Sequence, residues 1–212
     1  MLSSNLVCTF AVYAVGGLCY AGILPWFALS CVLALLFSRW AFSIHSRTHF
    51  KGHYPLIEEL MPLVMSPLSV GLNEQRQVHQ RHHAALGSPN DPDWLFYSAN
   101  PFTAVLLCCF HPEITFCREF KWLSPRALSG AVFRLVLFTV LLLVAGNNFL
   151  LWYLCPLRIL FGIAQFIFTW MLHHRHDKRT IDLHLSPCFM PIIGTVGLKE
   201  LRAHAAHHRV CH

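Results

Sequence analysis

The chain reads as an all-α integral membrane protein: four transmembrane helices arranged as two hairpins, with a helical cap on the cytoplasmic face that carries clustered histidines. Three observations predict this. Of the 212 residues, 55% are apolar and only 12% charged, whereas an average soluble domain carries about 25% charged residues. The apolar residues gather into blocks of near-bilayer length. Histidine, with fifteen copies, is the residue most out of proportion, and most copies fall into four short clusters at or near the ends of those blocks. A single domain over residues 1–212 accounts for the chain, because the blocks leave little sequence for a separate soluble unit.

Residues 6–24 are an apolar run closed by Pro25, and residues 26–44 are a second run interrupted only near its end by Arg39. Each would be roughly 28 Å long as a helix at 1.5 Å per residue, close to the hydrocarbon thickness. Residues 127–145 and 150–172 make a second pair, joined by the short polar turn Gly146-Asn147-Asn148. Two weaker stretches, 56–72 and 101–116, are broken by prolines and are expected to dip into the interface rather than to span. Arg134 and Arg158 fall within spans, and each is expected to snorkel towards an interface.

Neither hairpin turn contains Lys or Arg, while the loops on the other side hold basic residues from Arg47 and Lys51 to Arg202 and Arg209. The positive-inside rule therefore places both termini and the central loop in the cytoplasm. No Lys or Arg precedes Arg39, so the first block lacks the basic start of a cleaved signal peptide and is expected to remain in the mature protein. The net charge of +6 sits in loops without interleaved aromatics, which suits a membrane surface and excludes nucleic acid as a partner. The nine cysteines form no CxxC pair and are expected to be reduced, buried thiols.

The histidine clusters carry the chemistry. His45 and His49, in HSRTH, are spaced i and i+4 on one helical face at the end of the second run. In HQRHH, His79 lies one turn from both His82 and His83. His173, His174 and His176 follow the fourth run, and His204, His207 and His208 form HAAHH near the C-terminus. By the predicted topology all four clusters emerge on one leaflet. Neutral imidazole ligates iron, zinc, copper and nickel, and a helix face offering two or three rings is a chelating surface. So many ligands exceed the needs of one ion, so two metals are the economical count. No HExxH is present, which removes the general-base glutamate of the common zinc-protease motif. Histidine-rich coordination with open positions for dioxygen suits a pair of irons better than calcium or magnesium, which prefer oxygen ligands.

In the order and spacing of HSRTH, HQRHH, HHRH and HAAHH, over roughly residues 35–210, the chain resembles the membrane fatty-acid desaturase superfamily of di-iron desaturases, hydroxylases and carotenoid ketolases. The resemblance implies that His45, His49, His79, His82, His83, His204, His207 and His208 are iron ligands, with His173 or His174 supplying a further one and His176 a weaker candidate. Asn90-Asp91-Pro92-Asp93-Trp94 is similar to the Asp-Pro-Asp turn that follows the second box in many members. Asp91 and Asp93 are either acceptors for imidazole N–H groups or parts of an ordinary turn. Ser46 stands where many relatives have Asp, and Arg209-Val210-Cys211-His212 replaces the sequence that often trails the last box.

The implied activity is an oxidoreductase with two Fe ions and dioxygen as co-substrate, desaturating or hydroxylating an unactivated C–H site on a long-chain acyl lipid. A carotenoid is the alternative substrate. No flavin or dinucleotide motif is present, so electrons are expected from an external ferredoxin-like or cytochrome-type donor. Readings of other classes are a metal-binding or metal-carrying membrane protein without catalysis, whose ligands would be expected near the midplane, and a zinc hydrolase. His53, His111 and His184 stand alone and read as interface or surface residues. Glu74, Glu113 and Glu119 show no paired spacing and receive no role.

Overall fold

The computed structural model describes residues 2–49, 64–171 and 173, and among them all regular structure is helical. Helix α1, Leu2–Tyr20, packs on α2, Phe27–Thr48, burying Cys8, Val12 and Cys19 against Leu29, Leu33 and Phe37. α1 stops at Tyr20, four residues short of the expected run. Gly22 takes a left-handed φ of 74°, and the Ile23 amide turns back to donate to the Leu18 carbonyl at 2.9 Å, so a glycine cap ends the helix ahead of Pro25.

α2 instead runs beyond residue 44 to Thr48. The Thr48 hydroxyl donates to the His45 carbonyl at 2.7 Å, and the buried Asn5 side chain donates to Ser43 Oγ at 3.0 Å and to the Trp40 carbonyl at 3.3 Å. The Asn5 bonds fasten the last turns of α2 to α1, and the first histidine cluster stands on those turns.

A segment led by Val64 and Met65 threads between helices, held where the hydroxyls of Tyr13 and Tyr153 donate to their carbonyls at 2.9 and 3.0 Å. It feeds α3, Leu72–Ala85, which carries the second cluster. The short α4, Trp94–Tyr97, is followed by α5, Pro101–Cys109, and α6, His111–Glu119. α7, Pro125–Ala145, opens with Ser124 Oγ accepting from the Ala127 amide at 3.2 Å and closes at Gly146, whose φ of 57° favours a residue without a Cβ. α8 covers Asn147–Met171, with π-helical turns at Leu150–Leu154 and Phe166–Met171.

Among the described residues, three helices are long and apolar enough to cross a membrane: Phe27–Thr48, Pro125–Ala145 and Asn147–Met171. The first helix is apolar but shorter, Asn5–Tyr20 over its described side chains. Their inner faces meet in one core of Leu33, Phe37, Phe138, Tyr153, Leu157 and Phe161. Leu135, Val136, Leu143 and Val144 stay exposed on α7, an apolar face of the kind that lipid covers.

Arg134 and Arg158, expected to reach towards an interface, each meet a partner inside the protein. Arg134 is 1% exposed and donates from Nη2 to the Ser69 carbonyl at 2.7 Å; the threaded 64–71 segment brings a backbone acceptor to its depth. Arg158 makes a two-pronged pair with Glu113, at 2.8 and 2.6 Å, and lies over the Phe110 ring. Glu113 thus has a partner that its local spacing did not indicate. The same holds for Glu119, which accepts from Arg81, and for Glu74, which accepts from the Ser124 hydroxyl at 2.5 Å.

Candidate metal centre

The i, i+4 pair on α2 and the i, i+3, i+4 set on α3 face each other. Nε2 of His49 lies 3.4 Å from Nε2 of His45 and 3.1 Å from Nε2 of His79, which is itself 3.0 Å from Nε2 of His83. The ligating atoms of His45, His49 and His79 all fall within 4.8 Å of one another. Each Nε2 offers one in-plane site, a proton or a lone pair, so this chain of three close contacts supports at most two hydrogen bonds at a time.

A cation resolves the conflict at His49, because the lone pairs of His45, His49 and His79 can point at it together. Metal–imidazole bonds of about 2.0–2.1 Å in a tetrahedral shell separate the nitrogens by roughly 3.3 Å, close to the 3.4 and 3.1 Å that separate His49 Nε2 from those of His45 and His79. The donor set therefore fits a borderline transition metal. Burial first, then the neighbouring rings of His45, His83 and His49, hold His79 well below the usual imidazole range; this is the neutral, ligating form.

His82 points into a second group. Its ring lies 5.0 Å from that of His173 and 5.6 Å from that of His83, measured between centroids. Its Nδ1 is 2.9 and 3.1 Å from the two oxygens of Asp91. Asp91 is fully buried, and it also accepts from the Tyr97 hydroxyl at 2.7 Å and from the Asp93 amide at 2.7 Å. His82, Asp91 and Asp93 are close enough to hold an ion together. With both Asp91 oxygens already receiving N–H or O–H donors, Asp91 is placed to orient the His82 ring through Nδ1.

Burial would lower the His82 pKa, but the Asp91 hydrogen bond and the charges of Asp93 and Asp91 outweigh it and raise it. Burial, reinforced by His82, takes His173 the other way, down to about 4.

The turn that presents Asp91 is built locally. The Asp93 amide closes an Asx turn on Asp91, the Trp94 amide donates to the Asp91 carbonyl at 3.1 Å, and Arg118 from α6 donates to the Pro92 carbonyl at 2.6 Å. Tyr97 is braced in turn by the Gly87 amide at 3.1 Å. Sequence reasoning did not single out Tyr97, whose only signal is its place one short helix beyond the Asp-Pro-Asp turn.

His111 departs from its expected role. It is not an exposed interface residue but lies 17% exposed, its Nε2 3.5 Å from Asp93 Oδ1, with its ring against Phe96; the position of α6 beneath the turn brings it there. Asp93 is held below the usual carboxylate range, since the His111 contact and the charges of His82, His111 and His173 overcome the opposing effect of burial.

His45, His49, His79, His82, His83 and His173 are thus gathered into one group of rings. His174, His176, His204, His207 and His208, and the isolated His53 and His184, lie outside the described residues. A cavity of about 220 Å³ adjoins the group, lined by His45, His79, His82 and His173 together with Phe37, Ala41 and Ala164. No protein-family model, curated protein or solved structure matches the chain.

Proposed function

We propose that the protein is a membrane oxidase of the fatty-acid desaturase type, holding two irons between its histidine clusters and using dioxygen to desaturate or hydroxylate a long-chain acyl lipid. One observation carries this reading: the imidazoles of the first two clusters and His173 converge, and His45, His79, His82 and His173 among them line a largely apolar cavity that α2 and α8 help to wall. His204, His207, His208 and one of His173 and His174 would complete the ligand set.

When bound, the irons would supply dioxygen activation and removal of hydrogen from an unactivated carbon. The residues of the chain do the rest. Asp91 keeps the His82 proton on Nδ1, so that Nε2 faces the metal. Tyr97 and Asp93 hold Asp91 in place, and the apolar walls exclude water and fix one methylene beside the centre. In desaturation two hydrogens leave the substrate, and dioxygen is reduced to water with electrons from an external donor; in hydroxylation one oxygen atom stays on carbon. The reading includes four spans as two hairpins, with both termini and the metal centre cytoplasmic, where basic loops would meet an acidic ferredoxin-like or cytochrome-type donor.

The test is expression in a host of defined lipid composition, with metal analysis of the purified protein and mass spectrometry of the lipids. Iron in the protein together with a loss of two hydrogens or a gain of one oxygen is expected, and His82→Ala and His207→Ala should each abolish the product while the protein still inserts. Normal turnover in either variant, or a zinc-loaded protein that consumes no dioxygen, refutes the proposal.

A further inference from the structure

The cavity is apolar along most of its wall, yet side chains with polar atoms line it without a hydrogen bond among the described residues, among them Ser38 and the Trp40 indole N–H on α2, Ser69 in the segment before α3, Thr115 on α6 and Gln165 on α8. Ser69 is the sharpest case, since it is 3% exposed and its Oγ has no partner. Other lining hydroxyls behave differently. Thr48 donates to the His45 carbonyl, Ser66 to the Leu68 carbonyl at 3.3 Å and Thr169 to the Gln165 carbonyl, so each is satisfied by backbone close by in the chain.

A buried polar group facing an apolar space is costly unless something bonds to it. Ser38 precedes His45 by seven residues on α2, and Gln165 precedes His173 by eight on α8. Both helices deliver their histidines to the same centre, so these side chains sit at a similar depth, roughly 10–12 Å from the ligating rings at helical rise.

We infer that the cavity selects an oxygen-bearing lipid, a chain with a hydroxyl or carbonyl in its interior, over a plain hydrocarbon chain, with Gln165, Ser38, Thr115 and Ser69 receiving that oxygen. The inference rests on the cavity being the substrate site, as proposed above, and names the class of substrate it takes. The amide of Gln165 both donates and accepts and the hydroxyls do the same, so alcohols and ketones are accommodated alike. A plain acyl chain would leave these groups unbonded.

The experiment measures binding and needs neither metal nor reductant, so it can fail independently of the oxidase reading. Full-length protein in detergent is titrated with octadecanoate and with a positional series of hydroxyoctadecanoates, with Kd read by displacement of radiolabelled octadecanoate. At least one hydroxyl position should bind roughly tenfold more tightly than octadecanoate, the worth of one otherwise unmade buried hydrogen bond. Gln165→Leu combined with Ser69→Ala should erase that preference. No position binding better than octadecanoate, a preference that survives in the double variant, or no binding of either lipid overturns the inference. A folded control variant, Ser129→Ala on the outer face of α7, should keep the wild-type preference.

Discussion

Replacing Asp91 with Asn tests whether this side chain orients His82 or merely fills a turn. Alanine is the wrong probe. It would strand three buried donors at once, His82 Nδ1, the Tyr97 hydroxyl and the Asp93 amide, at about 1–3 kcal/mol each, a sum comparable to the whole stability of a typical domain, about 5–15 kcal/mol. Asn keeps the shape and one acceptor oxygen but turns the other into an NH₂ donor. If the NH₂ faces His82, the imidazole must accept at Nδ1 and carry its proton on Nε2, which removes the lone pair needed for metal. If it faces Tyr97, the hydroxyl already accepting from Gly87 loses its own acceptor, costing about 1–3 kcal/mol. Disrupting a carboxylate–imidazole pair of this kind typically weakens metal binding 10- to 100-fold, or about 1.4–2.7 kcal/mol. The assay is anaerobic titration of chelator-stripped protein with Fe²⁺ or Co²⁺ in competition with a chelator of known affinity, alongside a thermal melt. One class of site should weaken by that factor, with the His45, His49, His79 and His83 class unchanged. A folded Asp91→Asn protein with both classes at wild-type affinity and a wild-type melt would refute the role assigned to Asp91.

Two predictions concern the scaffold. A Cβ added at Gly162 would sit 2.4 Å from Cys109 Sγ, so Gly162→Ala should lower stability by about 1–3 kcal/mol through overpacking between α5 and α8. Adding Cys109→Ala should recover most of the loss in detergent melts, and failure of that rescue would place the clash elsewhere. Arg158→Met should destabilise by about 2–3 kcal/mol, less than the 3–5 kcal/mol of a fully buried pair, because each partner retains about a fifth of its exposure. The Arg158→Met/Glu113→Leu double variant should be more stable than the Arg158→Met single, and purely additive losses would show that the pair is not coupled.

These variants touch features that the sequence exposed to very different degrees. The i, i+4 and i, i+3 spacings of His45 with His49, and of His79 with His82 and His83, are local, and helical geometry turns them directly into shared faces; the convergence of the two faces is not local. It depends on Asn5 fastening α1 to α2 and on α3 following a segment threaded to Tyr13 and Tyr153. No periodicity encodes that thread. For the same reason Arg134 and Arg158 looked like snorkelling residues: their partners, the Ser69 carbonyl and Glu113, stand 65 and 45 positions away. The helix boundaries missed in the opposite sense. Gly22 stopped α1 early because a left-handed cap precedes the proline, while α2 ran on through Ser46 and Thr48, polar residues that looked like an exit from the membrane but are buried against their own helix and its neighbours.

The same distinction explains why ligands are easier to read than the residues that position them. A ligand set needs several like side chains presented together, and a helix advertises that as a repeat of one residue type. An orienting residue needs only to accept one proton at one atom, and any loop that reaches the atom serves. Asp91 does so from an Asx turn, Tyr97 from a four-residue helix, and His111 from the start of a helix that must first cross beneath the turn. None of these repeats. The cavity's oxygen-facing residues are dispersed further still, over four separate elements, so a substrate preference built on them has no sequence motif and has to be sought in the three-dimensional wall. Ser69→Ala alone, which removes the most deeply buried of those hydroxyls without enlarging any contact, should therefore be silent or mildly stabilising in the empty protein, since no bond is lost there. A destabilisation above about 1 kcal/mol in the lipid-free melt would mean that Ser69 already has a partner, and would remove it from the set that receives the substrate oxygen.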